Sequence, residues 1–288
     1  MPDLSESPKP VIFHNGELHR SDAPLVAVTD QVIVQGQGVF ETLVAHKGEP
    51  FAFQRHIERL ERSAELVGLS VPGQEKIAGS ISLVMTESGF DQTAKSRIRI
   101  TLTGGIGNTR FSSEPGEARL FIEVSPAPSF AESTSLITVP FPRNDRGALA
   151  GAKTINYGEN VVALRLAKEA GADEAIFGNT QDLLCEGTWS NIFVFKGGKW
   201  ITPPLSSGCL PGVTRALVLE QAVEIGTTIE EIDLKMSALA SIEGAFLTST
   251  LRDLQPVREV DGWQLPLLKP PGFSELEAAF QKLAAPKD

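Results

Sequence analysis

Three stretches of the chain carry residue types whose spacing could do chemistry. Lys153 stands in Gly151-Ala152-Lys153-Thr154-Ile155-Asn156-Tyr157, one ammonium among small and neutral side chains. A lysine held in a partly dry pocket has its pKa lowered and can form a Schiff base at neutral pH. Glu186 stands in Cys185-Glu186-Gly187-Thr188-Trp189-Ser190, at a small-residue turn before the buried run Ile192 to Phe195. An acid at such a place is either solvated or held there for a reason. Leu210-Pro211-Gly212-Val213-Thr214-Arg215 precedes an amphipathic run with apolar Leu217, Val218, Val223 and Ile225. Gly212 admits close backbone approach, and the amides of Val213 and Thr214 would be free at a helix N-terminus, which suits a phosphate. Taken singly, each has a plain alternative: a solvated lysine, a turn glutamate, an ordinary helix start.

These residues need elements to position them. Val11-Ile12-Phe13 followed by Asn15-Gly16 reads as a strand and turn, after a ragged start over the first dozen residues. Gly36 to Val44 reads as a glycine-rich loop entering a strand, with a hairpin turn at Lys47-Gly48-Glu49. Apolar Ile57, Leu60, Ala64 and Val67 recur at helical spacing over about 54–69. A second helix is expected over 73–88, and strands over 98–102 and 118–124. The proline-rich Ser125-Pro126-Ala127-Pro128-Ser129 marks a linker. Beyond it, strands are expected over 136–140, 174–178, 191–195 and 200–202, and helices over 157–170, 213–225 and 273–284, with Gly226 as a C-terminal cap. The expected organisation is α+β, with a small domain over 1–124, a linker over 125–133 and a large domain over 134–288 that carries Lys153.

Composition narrows the class of function. The chain has 288 residues, of which 41% are hydrophobic and 22% charged, so a buried core is available and disorder is excluded. With 26 basic against 36 acidic residues the net charge is −10, which disfavours nucleic acid and anionic membranes as partners. No apolar run approaches the roughly 18 residues that span a bilayer, and the polar start lacks a signal-peptide pattern. Two cysteines, Cys185 and Cys209, leave no disulfide framework or CxxC, so a reducing, cytoplasmic setting is expected. The four histidines show no metal-ligand spacing, and no metal is expected.

Together the three stretches resemble one family, the class IV aminotransferases of fold type IV, which use pyridoxal 5′-phosphate (PLP). The family includes branched-chain and D-amino-acid aminotransferases and 4-amino-4-deoxychorismate lyases. The motif reads here Glu186, Thr188, Asn191-Ile192-Phe193, Thr202, Leu210, Gly212-Val213 and Arg215, with Trp200 where an aliphatic residue is usual. The resemblance runs from Gly38 to Pro256. It implies a small N-terminal α/β sandwich, a larger C-terminal domain with a pseudo-barrel, and a homodimer. It implies Lys153 as the Schiff-base lysine that also moves the substrate's α-proton. Glu186 resembles the carboxylate facing the pyridine nitrogen, where a negative partner keeps that nitrogen protonated. Val213 and Thr214 resemble the phosphate-cradling helix start, Thr250 a second phosphate hydroxyl, and Arg59 a helix arginine on the same phosphate. Tyr157 is placed to reach the cofactor ring oxygen or simply to pack. Phe40 lies where relatives have a pocket-lining aromatic. Arg146, seven residues before Lys153, is a further candidate for reaching cofactor or substrate.

The resemblance implies a transaminase, passing an amino group between an amino donor and a keto acid, or a lyase releasing pyruvate and 4-aminobenzoate. A non-catalytic binding protein on the same scaffold is the alternative of another class. Thr103-Gly104-Gly105 lacks the arginine that some D-amino-acid aminotransferases carry in this loop, and Gly104 to Gly107 reads as a plain turn. Branched-chain members usually have a glycine pair after the lysine; Thr154-Ile155-Asn156-Tyr157 looks closer to the lyases and to unassigned relatives, and against that many lyases have arginine where Tyr157 stands. The transaminase is the expected reaction, with the lyase beside it.

Overall fold

The computed structural model describes residues 11–107 and 116–285, so most of the ragged start expected from the sequence lies outside the described residues. The chain forms two compact units, dividing between Pro128 and Ser129.

The first unit is an antiparallel sheet of β1 (Val11–His14), β2 (Glu17–Arg20), β3 (Gly38–His46), β4 (Glu49–Pro50), β5 (Ser96–Thr103) and β6 (Arg119–Pro126), in the order β2-β1-β6-β5-β3-β4. Helices α1 (Gln31–Gln35), α2 (Phe53–Leu66) and α3 (Gln74–Ser88) complete it. Period-two alternation decides which face is covered. Ile98, Ile100 and Leu102 of β5 and Leu120, Ile122 and Val124 of β6 are fully or almost fully buried, and they pack with Ile57, Leu60 and Ala64 of α2 and Ile77, Ile81 and Val84 of α3. The linker expected from residue 125 begins later, because Ser125 and Pro126 still pair with Arg97 and Ser96 as the end of β6.

The segment Ala152–Asn156 belongs to this first unit, although the sequence reading placed Lys153 in the second. The cause is backbone pairing. Phe40 N donates to Lys153 O at 3.0 Å and Ile155 N to Gly38 O at 3.1 Å, so the segment lines β3 like a short extra strand. Gly38 permits this approach: a Cβ there would stand 3.0 Å from Val32 and 3.3 Å from Ile155.

The second unit is built on a curled half-barrel sheet. Its strands are β7 (Thr134–Thr138), β8 (Glu174–Gly178), β9 (Leu184–Gly187), β10 (Asn191–Lys196), β11 (Lys199–Thr202), β12 (Ile229–Glu231), β13 (Gly244–Ser249), β14 (Asp253–Val260) and β15 (Trp263–Gln264). They run in the order β12-β11-β10-β13-β14-β7-β8-β9, with β15 paired to β14. Helices α4 (Gly158–Glu169), α5 (Val213–Glu224) and α6 (Phe273–Ala284) accompany them. Alternation again splits β10: Ile192 and Val194 join one core with Leu136, Ile176 and Leu247. Phe193 turns the other way and stacks on Phe246 at 4.6 Å, beside Trp200 and Phe273. Trp200, the departure from the family pattern, is a buried anchor whose indole donates to Pro271 O at 2.9 Å. Glu186 lies within β9, whereas the sequence reading put it in a turn. Among the described residues no helix is long and apolar enough to cross a membrane, and no group of three or more His, Cys, Asp or Glu could hold a metal ion.

Candidate active site

In the first unit the site residues sit where α2 faces β3. His56, Arg59 and Ser63 recur at three- and four-residue spacing and so share one helix face, all buried. Ser63 Oγ accepts the Lys153 backbone N–H at 3.0 Å. With the β3 pairing, this fixes the lysine backbone from two sides. The Lys153 ammonium lies 4.2 Å from the Phe40 ring centroid, and the Arg99 guanidinium carbon lies 3.7 Å from the same centroid. Cations over a buried ring are held by its quadrupole.

Glu41 is the charge beneath this arrangement. It falls in the odd register of β3 with Val39 and Leu43, on the apolar face, and has no exposed surface. Arg59 meets it with two prongs, Nε to Oε1 at 2.7 Å and Nη2 to Oε2 at 2.8 Å, and His56 Nδ1 lies 2.8 Å from Oε2. Burial alone would raise the Glu41 pKa, but the Arg59 charge and the hydrogen bonds from Arg59 and His56 outweigh it and hold the carboxyl well below its usual range. Burial lowers the His56 pKa, against the pull of Glu41. A neutral His56 beside a carboxylate that can only accept must carry its proton on Nδ1.

In the second unit Glu186 is clamped at both oxygens. Arg143 Nε lies 3.1 Å from Oε1, and Leu210 N donates to Oε2 at 2.8 Å. Leu210 O in turn accepts from Asn191 Nδ2 at 2.9 Å, and a Cβ on Gly212 would stand only 2.0 Å from Asn191 Oδ1. Glu186, Asn191, Leu210 and Gly212, scattered over the sequence motif, therefore form one chain of contacts leading to the start of α5. Gly212 at the N-cap supplies no side-chain acceptor to the first turn, where Val213 and Thr214 are buried. Thr202 and Arg215 do scaffold work: Thr202 Oγ1 donates to Ile192 O at 2.8 Å, and Arg215 Nη2 donates to Pro203 O at 2.8 Å.

The loop between β9 and β10 is rigidly held. Glu174 Oε1 accepts from Trp189 N and from Ser190 Oγ, both at 2.8 Å, and its other oxygen pairs with Arg252. Tyr157 lies against Trp189, with ring centroids 5.4 Å apart. Thr250 is half-buried in the turn between β13 and β14, two residues before Arg252.

The structure thus joins Lys153, Phe40 and Arg59 in one unit, and Glu186, Val213 and Thr214 in the other. Arg146 is exposed, and its backbone N–H bonds to Asn144 Oδ1. The arginine beside Glu186 is Arg143, which the sequence reading did not single out. Gly104 and Gly105 are packing positions: a Cβ on Gly105 would stand 2.0 Å from Glu117 O. A cavity of about 860 Å³ in the second unit, lined by Phe141, Met236 and Trp263 among others, contains none of the site residues named above.

A family model described as amino-transferase class IV matches residues 38–260. The chain belongs to the class IV aminotransferases. A Methanocaldococcus jannaschii protein named "Putative branched-chain-amino-acid aminotransferase" is 31% identical over 255 residues, covering 87% of this chain and 88% of the relative. A bifunctional aminodeoxychorismate lyase / D-amino acid transaminase of Mycobacterium tuberculosis is 28% identical over 276 residues, covering 89% and 93%. Among solved structures, a hypothetical aminotransferase from Mycobacterium tuberculosis in its PLP-bound form superimposes with a TM-score of 0.84 at 25% identity, covering 96% of this chain and 99% of that one.

Class IV aminotransferases depend on PLP, and the donor set here fits that group. Taken unit by unit, the Lys153 amine of the first suits an aldehyde, and in the second the Glu186 carboxylate suits a basic ring nitrogen and the uncapped start of α5 a phosphate.

Proposed function

We propose that this class IV aminotransferase is a PLP-dependent transaminase that passes an amino group between an amino acid or amine and a 2-oxo acid, working as a homodimer. Lys153 Nζ binds the cofactor covalently and takes and returns the substrate's α-proton. Its backbone, pinned to β3 and Ser63, keeps that amine in one place. Glu186 faces the ring nitrogen and holds a proton on it. The amides of Val213 and Thr214 with the Thr250 hydroxyl bind the phosphate. Arg59, held by Glu41 through Nε and Nη2, joins them. Tyr157 orients the ring through its hydroxyl, and Phe40 walls the substrate pocket. PLP, when bound, supplies an electron-poor ring that accepts the electron pair left when the substrate's α C–H bond breaks.

The observation that carries transaminase over lyase is the aromatic pair at Tyr157. A tyrosine stands where many of the family's lyases have arginine, and its ring lies against Trp189 at 5.4 Å. An uncharged wall suits an amino acid with one carboxylate to anchor better than the two carboxylates of aminodeoxychorismate. The test is a panel of amino donors with a keto acid, run beside aminodeoxychorismate without an acceptor. Amino transfer is expected from the panel. Pyruvate released without an acceptor overturns the transaminase in favour of the lyase, and neither activity with no PLP bound favours a binding protein. Light scattering tests the homodimer, which a monomeric mass refutes.

A further inference from the structure

The geometry points to Arg143 as the positioning residue that fixes Glu186 as an oriented anion. The inference rests on the reading of Glu186 as the partner of the cofactor's ring nitrogen. Arg143 is itself over-determined. Its backbone N donates to Gly178 O at 2.7 Å, continuing from the end of β8, and Pro140 and Pro142 stiffen the approach. Its guanidinium lies over the Phe177 ring at 4.1 Å, and Phe177 pairs with Glu186 in the β8–β9 register. Nη1 donates to Asn160 Oδ1 at 3.1 Å, while Asn160 Nδ2 donates to Thr188 O at 2.5 Å, so the brace is tied to the loop after β9. Glu159 reaches the same guanidinium at 3.6 Å from the exposed side of α4.

With the Arg143 charge beside one oxygen and the Leu210 amide bonded to the other, both contacts favour the charged form of the carboxylate. Among the groups facing it are Arg143, Glu159 through that arginine, and the thiols of Cys185 and Cys209. Burial pushes both thiols up, so neither titrates in the acid range. Arg143 therefore supplies the positive charge that holds Glu186 as an anion.

The experiment measures the affinity of the full-length chain, stripped of cofactor, for pyridoxamine 5′-phosphate as a function of pH. This probe presents the ring nitrogen and phosphate without forming a bond to Lys153. In the unmodified protein, affinity falls on the acid side as Glu186 protonates. In Arg143→Met the acid limb moves up by about one pH unit or more, the size of shift an opposite charge at this distance produces. Arg143→Lys keeps the charge, and its limb stays near the unmodified position. Arg143→Gln is made alongside, so the shift can be read from whichever uncharged variant folds. An unmoved limb in the uncharged variants, with Glu186→Gln abolishing it, overturns the role of Arg143 alone. A limb that survives Glu186→Gln overturns the reading of Glu186 on which the inference rests.

Discussion

Replacing Glu41 by Gln removes one negative charge at nearly constant volume. It leaves the Arg59 guanidinium, 4% exposed, without its counter-charge in a fully buried setting. Two charge-assisted hydrogen bonds from Arg59 weaken, and His56 loses its anionic acceptor. Breaking a buried pair from one side costs about 3–5 kcal/mol, a factor of roughly a hundred to a few thousand in the folding equilibrium. That is a large share of a domain's ordinary stability of about 5–15 kcal/mol. The loss falls on the first unit. The chain's tryptophans, Trp189, Trp200 and Trp263, all lie in the second, so their emission is the wrong probe. Hydrogen exchange of peptides from α2, beside calorimetry, reads the right place. The pH dependence gives an independent check. The folded pKa of Glu41 lies below its unfolded value of about 4.5, so its contribution is present above that pH and is lost as pH falls below it. His56 is also depressed, and its contribution fades as pH falls below about 6.5, where the unfolded imidazole takes up a proton. Glu41→Gln should lose the lower of these two acid-sensitive windows. Unchanged protection of α2 at neutral pH, with the acid slope intact, refutes the reasoning.

Glu174→Ala should destabilise the second unit by about 3–5 kcal/mol, because Arg252 and the Trp189–Ser190 loop lose a shared buried carboxylate. Urea unfolding followed by tryptophan emission measures it, and a midpoint within error of the unmodified protein counts against the network. Gly212→Ala should weaken cofactor binding and cost about 1–3 kcal/mol. The backbone there is ordinary (φ −63°), so the cost arises from Asn191, which must move and give up Leu210 O. A PLP titration of the stripped protein checks this, and an unchanged dissociation constant rejects the frame.

Much of the fold was legible because periodicity is local. Ile57, Leu60 and Ala64 announce α2 by their spacing, and Ile98, Ile100 and Leu102 announce β5. The five-residue α1 is too short to show a period, and β13, Gly-Ala-Phe-Leu-Thr-Ser, is buried on both faces, so alternation does not mark it. Glu41 left a signal that went unread. It stands in register with Val39 and Leu43, on a face that should exclude a charge unless a partner waits there. His56 and Arg59 on the matching face of α2 were that partner. Arg143 left no such signal, because its contacts come from β8, β9 and α4, which only folding assembles. The placement of Lys153 in the first unit was hidden for the same reason: its pairing partner is β3, far earlier in the chain.

The central claim is that one amine, the Lys153 Nζ, carries the cofactor. Borohydride reduction of the PLP-loaded protein, followed by peptide mass mapping, tests it directly. The account predicts a single pyridoxyl mass on the peptide containing Lys153, absent from Lys153→Ala. A pyridoxyl group on another lysine, or none on a protein that still binds PLP and turns over, contradicts it.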